Sequence, residues 1–277
     1  MRICFIGGGN MATALVAGLI KQGRPADGIR VVEIDAAARA RLTRDLGVQA
    51  HAEAAAGVAG ADCVVLAVKP QQVREVAGAL GALVRDALVI TIAAGIRHVD
   101  LTRWLGGHAR IVRAMPNTPA LVLAGVTGLF APPAVARKDR ALAEQILGAA
   151  GTTLWVERED EMDAVTAVSG SGPAYVFYFI EALQQAASEL GFEDAAARAL
   201  ALDTFAGAVK LAAESPENAA TLRARVTSKG GTTERAIAEL DRQRVREAIV
   251  SAVRAAAERS QELGAALGRE DTDGSSR

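Results

Sequence analysis

The stretch that decides the fold is Arg2-Ile3-Cys4-Phe5-Ile6-Gly7-Gly8-Gly9-Asn10-Met11-Ala12, near the start of the 277-residue chain. A strand-like apolar run ends at a cluster of glycines, and a helical pattern of apolar residues follows directly. The spacing Gly7-x-Gly9-x-x-Ala12 fits the dinucleotide-binding fingerprint, with alanine in the third position. Gly7 permits a sharp turn, Gly9 lets the backbone approach a pyrophosphate, and Ala12 lets the helix pack closely on the strand. The free amides and positive dipole end of that helix would face the phosphates.

A second apolar run, residues 29–35, supports this interpretation. It places acidic residues, Glu33 among them, about 20 residues beyond the third fingerprint position, where a ribose-binding carboxylate belongs. A glycine trio alone is weak evidence, because any tight turn from strand to helix favours glycine. The strand before it, the helix after it and the acid together predict a dinucleotide site.

Strand-like and helical segments alternate up to about residue 156. Near-continuous apolar runs, typical of strands buried on both faces of a parallel sheet, cover residues 62–68 and 87–92, and a further strand is predicted over 109–114. Helical patterns lie between the strands, as over residues 36–46 and 134–149. This alternation predicts an α/β fold, with a doubly wound Rossmann-like domain over residues 1–160.

The second half of the chain contains no convincing strand between residues 161 and 267. Its helical patterns predict an all-α domain, which we expect to carry the substrate site and the dimerisation surface. Several of these helices are too apolar to be covered by a domain of this size, which favours burial against a second subunit. The alternative is that they pack on the α/β domain. Residues 268–277 are polar and are predicted to form a disordered tail.

Bulk properties argue against several classes of protein. A net charge of −1 gives no reason to expect a nucleic-acid or membrane partner. No apolar stretch is long enough to span a bilayer, and the first residues form a strand rather than a signal peptide. Cys4 and Cys63 fall inside predicted strands, without metal-binding or disulfide spacing. We therefore expect a cytoplasmic protein without a metal site.

Candidate functional residues lie where parallel strands end, since ligands of open α/β sheets bind beyond the carboxyl ends of the strands. Lys69 directly follows a strand and either contacts the cofactor or is a solvated loop residue. Asn117 lies in a stiff loop between two prolines, which suits a positioning role, although rigid turns also occur for structural reasons. The histidines, His51, His98 and His108, lie beside no plausible nucleophile and are not predicted to be catalytic.

Two stretches rich in glycine and hydroxyl residues precede helices in the second half. They are Ser169-Gly170-Ser171-Gly172-Pro173-Ala174 and Thr227-Ser228-Lys229-Gly230-Gly231-Thr232-Thr233-Glu234. A helix start of this kind offers unpaired N–H donors and a positive dipole end to an anion. Ordinary capping explains one hydroxyl, but not adjacent glycines flanked by four hydroxyl residues. A small carboxylate ligand would explain them.

These blocks resemble the pyrroline-5-carboxylate reductase family over nearly the whole chain. Residues 5–12 are similar to the opening of the family, and Ala67-Val68-Lys69-Pro70, Met115-Pro116-Asn117-Thr118-Pro119 and residues 169–174 each resemble a family block. The most specific match is Val226-Thr227-Ser228-Lys229-Gly230-Gly231-Thr232-Thr233. Several blocks in one order carry more weight than any single glycine motif.

The resemblance implies reduction of 1-pyrroline-5-carboxylate to L-proline, the last step of proline biosynthesis, by hydride transfer from NADPH or NADH. It also implies a homodimer through the helical domain, with a higher ring of dimers above it. The substrate residues carried over are Ser228, Gly230, Gly231, Thr232 and Thr233, with Thr233 as the catalytic residue nearest the imine nitrogen. The predicted cofactor residues are Ile6, Gly7, Gly8, Gly9, Asn10, Met11, Ala12, Glu33, Ala67, Val68, Lys69, Pro70, Ala93, Ala94, Gly95 and Asn117.

Two departures from the family pattern matter. Lys229 stands where the family often has proline. Members that prefer NADPH tend to place a small polar and a basic residue where this chain has Glu33 and Ile34. A carboxylate there would bind a ribose 2′-hydroxyl and repel a 2′-phosphate, although Arg39 and Arg41 lie one turn further on. We expect NADH to be used at least as well as NADPH.

Two other functions fit the motifs less well. A reductase of another cyclic imine or of a β-hydroxyacid would use a lysine on an interdomain helix as acid, and only Lys210 comes near that description. A non-catalytic dinucleotide sensor would leave the loop from Ser228 to Thr233 without a purpose.

Overall fold

The computed structural model describes residues 1–269, and these residues form two compact units. Unit 1 comprises residues 1–171 together with 256–269, and unit 2 comprises residues 172–255. This grouping differs from a division after residue 160, because the segment that follows the last strand and the end of the last helix both belong to unit 1. The domain boundaries themselves stay a prediction. Of the tail predicted to be disordered, residues 270–277 lie outside the described residues, and Gly268 ends the last helix.

Unit 1 is built on an eight-stranded sheet with the order β3-β2-β1-β4-β5-β6-β7-β8 among the described residues. The strands are β1 (Ile3–Ile6), β2 (Ile29–Val32), β3 (Gln49–His51), β4 (Cys63–Leu66), β5 (Leu88–Thr91), β6 (Ile111–Met115), β7 (Gly125–Phe130) and β8 (Gly151–Trp155). Neighbouring strands are parallel except β6 and β7. The chain runs from β1 outward to β3 and returns on the other side of β1, so β1 and β4 form a topological switch point.

The helices of unit 1 before β8 alternate with the strands, which confirms the predicted doubly wound architecture. They are α1 (Asn10–Lys21), α2 (Ala36–Leu46), α3 (Ala54–Val58), α4 (Pro70–Leu80), α5 (His98–Trp104) and α6 (Arg137–Leu147). Local chemistry sets the bounds of α2. The Asp35 carboxylate accepts a 2.6 Å hydrogen bond from the amide of Ala38, and Gly47 ends the helix at φ +69°.

The core of unit 1 lies on both faces of the sheet. One apolar cluster includes Phe5 and Leu15, and a second one on the opposite face includes Cys4 and Leu66. Residues in β1, β4 and β5 are buried on both sides, as near-continuous apolar strand sequences predict.

The segment after β8 contains structure that the sequence patterns did not predict. A short helix α7 (Glu161–Val165) runs into a π-helical turn, Thr166–Gly170. The buried Arg113 of β6 holds this segment, with its guanidinium 3.1 Å from the Glu159 carboxylate and 4.0 Å from that of Asp163. Two acidic side chains of this segment, Glu159 and Asp163, are therefore partners of a buried cation.

Unit 2 is entirely helical, as predicted. Its helices are α8 (Gly172–Glu189), α9 (Asp194–Glu214), α10 (Ala219–Arg225), α11 (Thr232–Arg242) and the first part of α12 (Val245–Gly268). Helix α8 packs along α9, yet large apolar side chains on these helices remain exposed, including Phe177 at 64% and Tyr178 at 70%. Such surface is typical of an interface between subunits. Across residues 1–269, no helix combines the length and apolar character needed to cross a membrane.

Candidate active site

The glycine turn after β1 lies at the switch point of the sheet. Gly7 has φ +101°, a conformation that side chains rarely tolerate, and its amide donates a 2.8 Å hydrogen bond to the Val32 carbonyl of β2. A Cβ at Gly7 would lie 2.7 Å from the Ala67 carbonyl oxygen, just beyond β4. The turn is therefore held between its two neighbouring strands, and both conformation and space require glycine at this position.

Helix α1 starts directly from this turn with its first amides uncapped by a side chain. Gly9 is the N-cap residue, in an extended conformation and without a side-chain hydrogen bond to the helix. A Cβ built at Gly9 would meet no protein atom within 4 Å, whereas Ala12 is buried. The helix thus packs on the sheet through Ala12 and presents its N-terminal donors on an open side, an arrangement suited to a pyrophosphate.

Glu33 is fixed beside the glycine turn by two backbone hydrogen bonds. One carboxylate oxygen accepts from the amide of Gly8 and the other from the amide of Asp35, each at 2.9 Å. The guanidinium of Arg39 donates to the Glu33 and Ile34 carbonyls at 2.7 and 2.8 Å, so this cation is bound to the backbone. The negative charge at the end of β2 is therefore held in place by the loop that would bind the cofactor.

The loops after β4 and β5 carry the other predicted cofactor residues of unit 1. Lys69 is exposed and precedes Pro70, the first residue of α4. Ala93 and Gly95 are buried, and Gly95 has φ +74°, so the loop after β5 turns sharply beside the sheet. Ile6, Val68 and Ala94 complete the same edge, and Asn10 and Met11 open α1. The structure thus groups these residues at the carboxyl ends of β1, β4 and β5.

The side chain of Asn117 is hydrogen-bonded within the protein and is not free to reach for a ligand. Its oxygen accepts from the Val126 amide at 2.9 Å, and its nitrogen donates to both the carbonyl and the hydroxyl oxygen of Ser169, each at 3.2 Å. The side chain is 8% exposed. Asn117 therefore ties the loop after β6 to the π-helical turn. This geometry supports the positioning role more than a direct cofactor contact.

In unit 2, the predicted carboxylate loop forms a bend that opens α11. Gly230 has φ +73°, and Gly231 is the N-cap residue of α11 without a side-chain hydrogen bond to the helix. The Gly231 amide donates to the Ser228 carbonyl at 3.1 Å. A Cβ at Gly231 would lie 2.7 Å from the Ser228 hydroxyl oxygen, so this glycine lets the hydroxyl approach the helix start. The exposed Lys229 lies in the same bend.

The first turn of α11 brings Thr232 and Thr233 to this helix start, with their amides among the first donors of the helix. Glu234 is a further residue of this loop, beyond those carried over from the family resemblance. Its carboxylate accepts a 2.7 Å hydrogen bond from the Gly230 amide. The signal for it is a glutamate three residues after the N-cap, the position from which such a side chain reaches back to the preceding backbone.

The described residues contain neither a metal site nor a reactive cysteine. Within them, no cluster of histidine, cysteine, aspartate or glutamate could hold a metal ion. Cys4 and Cys63 are free and buried, and burial raises the pKa of the Cys4 thiol to about 12. Burial also lowers the pKa of His98. The cysteines are therefore structural and unsuited to nucleophilic work.

The glycine turn, the fixed acid at the end of β2 and the doubly wound sheet define a dinucleotide-dependent oxidoreductase with a helical second part. Consistent with this class, residues 2–95 match the family model described as NADP oxidoreductase, coenzyme F420-dependent. Residues 159–263 match the model described as pyrroline-5-carboxylate reductase dimerisation, which supports self-association through this region.

The relatives place the chain more closely. It is 44% identical to the pyrroline-5-carboxylate reductase of Pseudomonas aeruginosa, over 97% of this chain and 98% of the relative. It is 45% identical to that of Haemophilus influenzae, over 94% and 97%. The chain belongs to the pyrroline-5-carboxylate reductase family.

Solved structures agree. The pyrroline-5-carboxylate reductase from Coxiella burnetii is 43% identical and superposes with a TM-score of 0.90, over 95% of this chain and 98% of that one. The reductase from Plasmodium falciparum, whose structure has NADP bound, is 27% identical with a TM-score of 0.85, again over 95% and 98%.

Proposed function

We propose that this protein reduces 1-pyrroline-5-carboxylate to L-proline with a reduced nicotinamide dinucleotide, in the last step of proline biosynthesis. The observation that carries the proposal is the presence of two uncapped helix starts in a member of this family. The start of α1 follows a dinucleotide fingerprint, and the start of α11 follows the bend at Gly230 and Gly231. The first suits a pyrophosphate and the second a small carboxylate.

The substrate carboxylate would bind at the start of α11. The amides of Thr232 and Thr233 lie in the first turn, where helix donors lack partners within the helix, and the helix dipole favours an anion there. Ser228 adds a hydroxyl beside Gly231, and Glu234 holds the bend by binding the Gly230 amide. A buried or screened carboxylate with several backbone donors would fix the orientation of the ring.

The reaction transfers a hydride from C4 of the nicotinamide to C5 of the ring, and a proton reaches the ring nitrogen. An imine accepts hydride poorly until its nitrogen is protonated or hydrogen-bonded. We assign the hydroxyl of Thr233 to orient the ring and to donate to that nitrogen. The iminium ion can equally form from solvent, so the mechanism needs no dedicated general acid. Most of the acceleration comes from holding the two carbon atoms close together in a site screened from water.

For the cofactor, we propose that NADH is used at least as well as NADPH. Glu33 holds its carboxylate with two backbone hydrogen bonds and is therefore not free to turn away from a 2′-phosphate. The guanidinium of Arg39 donates hydrogen bonds to the carbonyls of Glu33 and Ile34, and these bonds hold it away from the role of binding a 2′-phosphate. A carboxylate in this place would bind the 2′-hydroxyl of an unphosphorylated ribose and repel a 2′-phosphate.

For the assembly, we propose a homodimer through the helices of unit 2. The match of residues 159–263 to a dimerisation family and the exposed Phe177 and Tyr178 support it. A ring of dimers and a cytoplasmic location stay predictions. Lys210, the residue that the alternative β-hydroxyacid mechanism would need, is exposed on α9 and has no feature that favours it as an acid.

The test is direct. Purified protein is mixed with pyrroline-5-carboxylate and either NADH or NADPH, and nicotinamide absorbance is followed with proline measured at the end point. We expect oxidation that depends on the imine and yields proline, with kcat/KM for NADH at least equal to that for NADPH. Cofactor binding without turnover would contradict the enzymatic function, and a strong preference for NADPH would contradict the assignment of Glu33 alone.

A further inference from the structure

We propose that Gly264 of α12 is a positioning residue for the nicotinamide half of the cofactor, because the helix backbone at this residue sets the position of the loop that follows β5. This loop, residues 92–97, is called the β5 loop below. The proposal rests on the proposed function, which assigns cofactor binding to Ala93, Ala94 and Gly95 in this loop.

The part of α12 that belongs to unit 1 carries three small buried residues. Ser260, Gly264 and Gly268 follow each other at intervals of four, and they are the buried residues of this helix. Each meets a different partner within unit 1. The Ser260 hydroxyl donates a 2.6 Å hydrogen bond to the Asp163 carboxylate, and the Gly268 carbonyl accepts a 2.8 Å hydrogen bond from Arg103. Gly264 lies between these two anchors.

At Gly264 the helix meets the β5 loop backbone to backbone. A Cβ at Gly264 would lie 3.2 Å from the Gly95 carbonyl oxygen, which is closer than about nine in ten real Cβ contacts, so the helix or the loop would have to shift by a few tenths of an ångström. A Cβ at Gly95 would lie 3.5 Å from the Gly264 amide nitrogen. Gly95 needs to be glycine because its φ is +74°, but Gly264 lies inside a helix, where glycine is a poor choice. The close approach to Gly95 is a reason for glycine at 264.

The β5 loop has little room to absorb a displacement elsewhere. At one end the Ala93 amide donates to the Thr91 hydroxyl at 3.3 Å, and at the other Ile96 is fully buried. Beyond Ile96, the guanidinium of Arg97 pairs with Asp100 at 2.6 Å. A side chain added at Gly264 would therefore displace the backbone of the β5 loop at Gly95, because the residues on either side of Gly95 are held in place.

The order of the strands links this loop to one half of the cofactor. Glu33 marks the ribose site at the end of β2, on one side of β1. A dinucleotide lies across the switch point, so its other half extends over β4 and β5, on the opposite side of β1. Gly264 touches the loop on that side. The contact therefore acts on where the hydride donor sits, without Gly264 itself touching the reactants.

The experiment compares Gly264→Ala and Gly264→Val with the matched variants Gly78→Ala and Gly78→Val in the full-length protein. Gly78 is an exposed glycine inside α4, and a Cβ there would meet no atom within 4 Å. Dissociation constants for NADH are measured by fluorescence titration, and KM for the imine is measured at saturating cofactor. Misplacing a reacting group by 1 Å lowers the rate roughly a hundredfold. If the added methyl group of Gly264→Ala shifts the β5 loop by a few tenths of an ångström, kcat should therefore fall about threefold to fivefold.

We expect weaker NADH binding or a lower kcat in Gly264→Ala by this factor, a larger loss in Gly264→Val, and an unchanged KM for the imine. The Gly78 variants should match the wild type. Ser260→Ala supplies a stability control, because it removes a partly buried hydrogen bond to Asp163 one turn away from Gly264. It should lower the melting temperature and leave NADH binding unchanged.

Equal NADH binding and kcat in folded Gly264→Ala and Gly78→Ala would overturn the proposal, and so would an equal loss in Ser260→Ala. If Gly264→Val fails to fold, the alanine variant decides. A wild type that binds NADH but does not reduce the imine contradicts the proposed function, while the comparison of dissociation constants still decides the role of Gly264.

Discussion

Replacing Glu33 by glutamine should shift cofactor preference toward NADPH by a calculable amount. Glu33 is half-buried, and its carboxylate is held by the amides of Gly8 and Asp35 at 2.9 Å each. A 2′-phosphate takes the place of a hydroxyl that this carboxylate would bind, so the two charges lie about 4 Å apart. Their repulsion is about 4 kcal/mol at an effective dielectric constant of 20 and about 1 kcal/mol in water.

Because Glu33 is partly accessible to solvent, we use the lower part of this range, about 1.4–2 kcal/mol. The ratio of kcat/KM for NADPH to that for NADH should therefore rise roughly ten- to thirtyfold in Glu33→Gln. The NADH value should also fall, since a neutral amide binds the ribose hydroxyl more weakly and places a donor beside one of the two backbone amides. Both effects change the ratio in the same direction.

The assay is steady-state kinetics with each cofactor at saturating imine, at low and at physiological ionic strength. Glu53→Gln is the matched control, because Glu53 is exposed and its side chain makes no cap hydrogen bond to α3. The ratio in Glu53→Gln should equal that of the wild type. An unchanged ratio in a folded Glu33→Gln would refute the reasoning, as would a wild type that already prefers NADPH strongly.

Three further predictions test the two helix starts and the scaffold. Thr233→Val should lower kcat/KM for the imine by about tenfold or more because it removes the hydroxyl, whereas Thr233→Ser should retain most of the activity. Both variants should bind NADH equally well, and equal activity of Thr233→Val and Thr233→Ser would contradict the role of the hydroxyl. Gly7→Ala should abolish measurable NADH binding, because φ +101° and a Cβ 2.7 Å from the Ala67 carbonyl oxygen strain the turn, and binding at wild-type strength would contradict this. Asp139→Asn should destabilise the fold by about 2 kcal/mol at pH 7 in urea unfolding, because the nearly inaccessible Asp139 carboxylate receives two hydrogen bonds from Arg110, at 2.8 and 3.0 Å. These hydrogen bonds lower the pKa of Asp139, so its contribution to the free energy of unfolding is present above the ordinary pKa of an aspartate and is lost as the pH falls through the lower pKa of the folded state. The difference in free energy of unfolding between wild type and Asp139→Asn should therefore shrink toward pH 3. A difference that stays constant with pH would contradict the assignment.

The parts of the fold that local chemistry specifies were predictable from the sequence. The bounds of α2 follow from Asp35 as cap and Gly47 as stop, and the glycine turn follows from its spacing. The long apolar runs indicated β4 and β5 because strands buried on both faces need few polar residues.

Features that depend on distant partners were not predictable in this way. The antiparallel direction of β7 relative to β6 is set by pairing across the sheet, not by local pattern. The structural role of the acidic segment around Glu159 was not predicted, because its partner, Arg113, lies 46 residues earlier in the chain. The end of α12 belongs to unit 1, where Ser260, Gly264 and Gly268 each contact a residue far away in the sequence, and no periodicity reveals these contacts.

The parts of the candidate site that consist of backbone groups were easier to predict than the parts that depend on side-chain contacts. The positions at which α1 and α11 begin were predictable, because glycine-rich stretches precede both helices. The binding roles assigned to these residues stay predictions. Asn117 shows the limit of such reasoning. Its place between prolines indicated a positioning role, but only the structure shows that its amide is committed to Val126 and Ser169.

The most direct test of the account is a crystal structure of the protein with L-proline and oxidised cofactor bound. We predict that the pyrophosphate lies at the start of α1 and that the proline carboxylate accepts hydrogen bonds from the first amides of α11. The hydroxyl of Thr233 should lie within hydrogen-bonding distance of the ring nitrogen. A proline bound with its carboxylate away from Gly231, Thr232 and Thr233 would contradict the central claim.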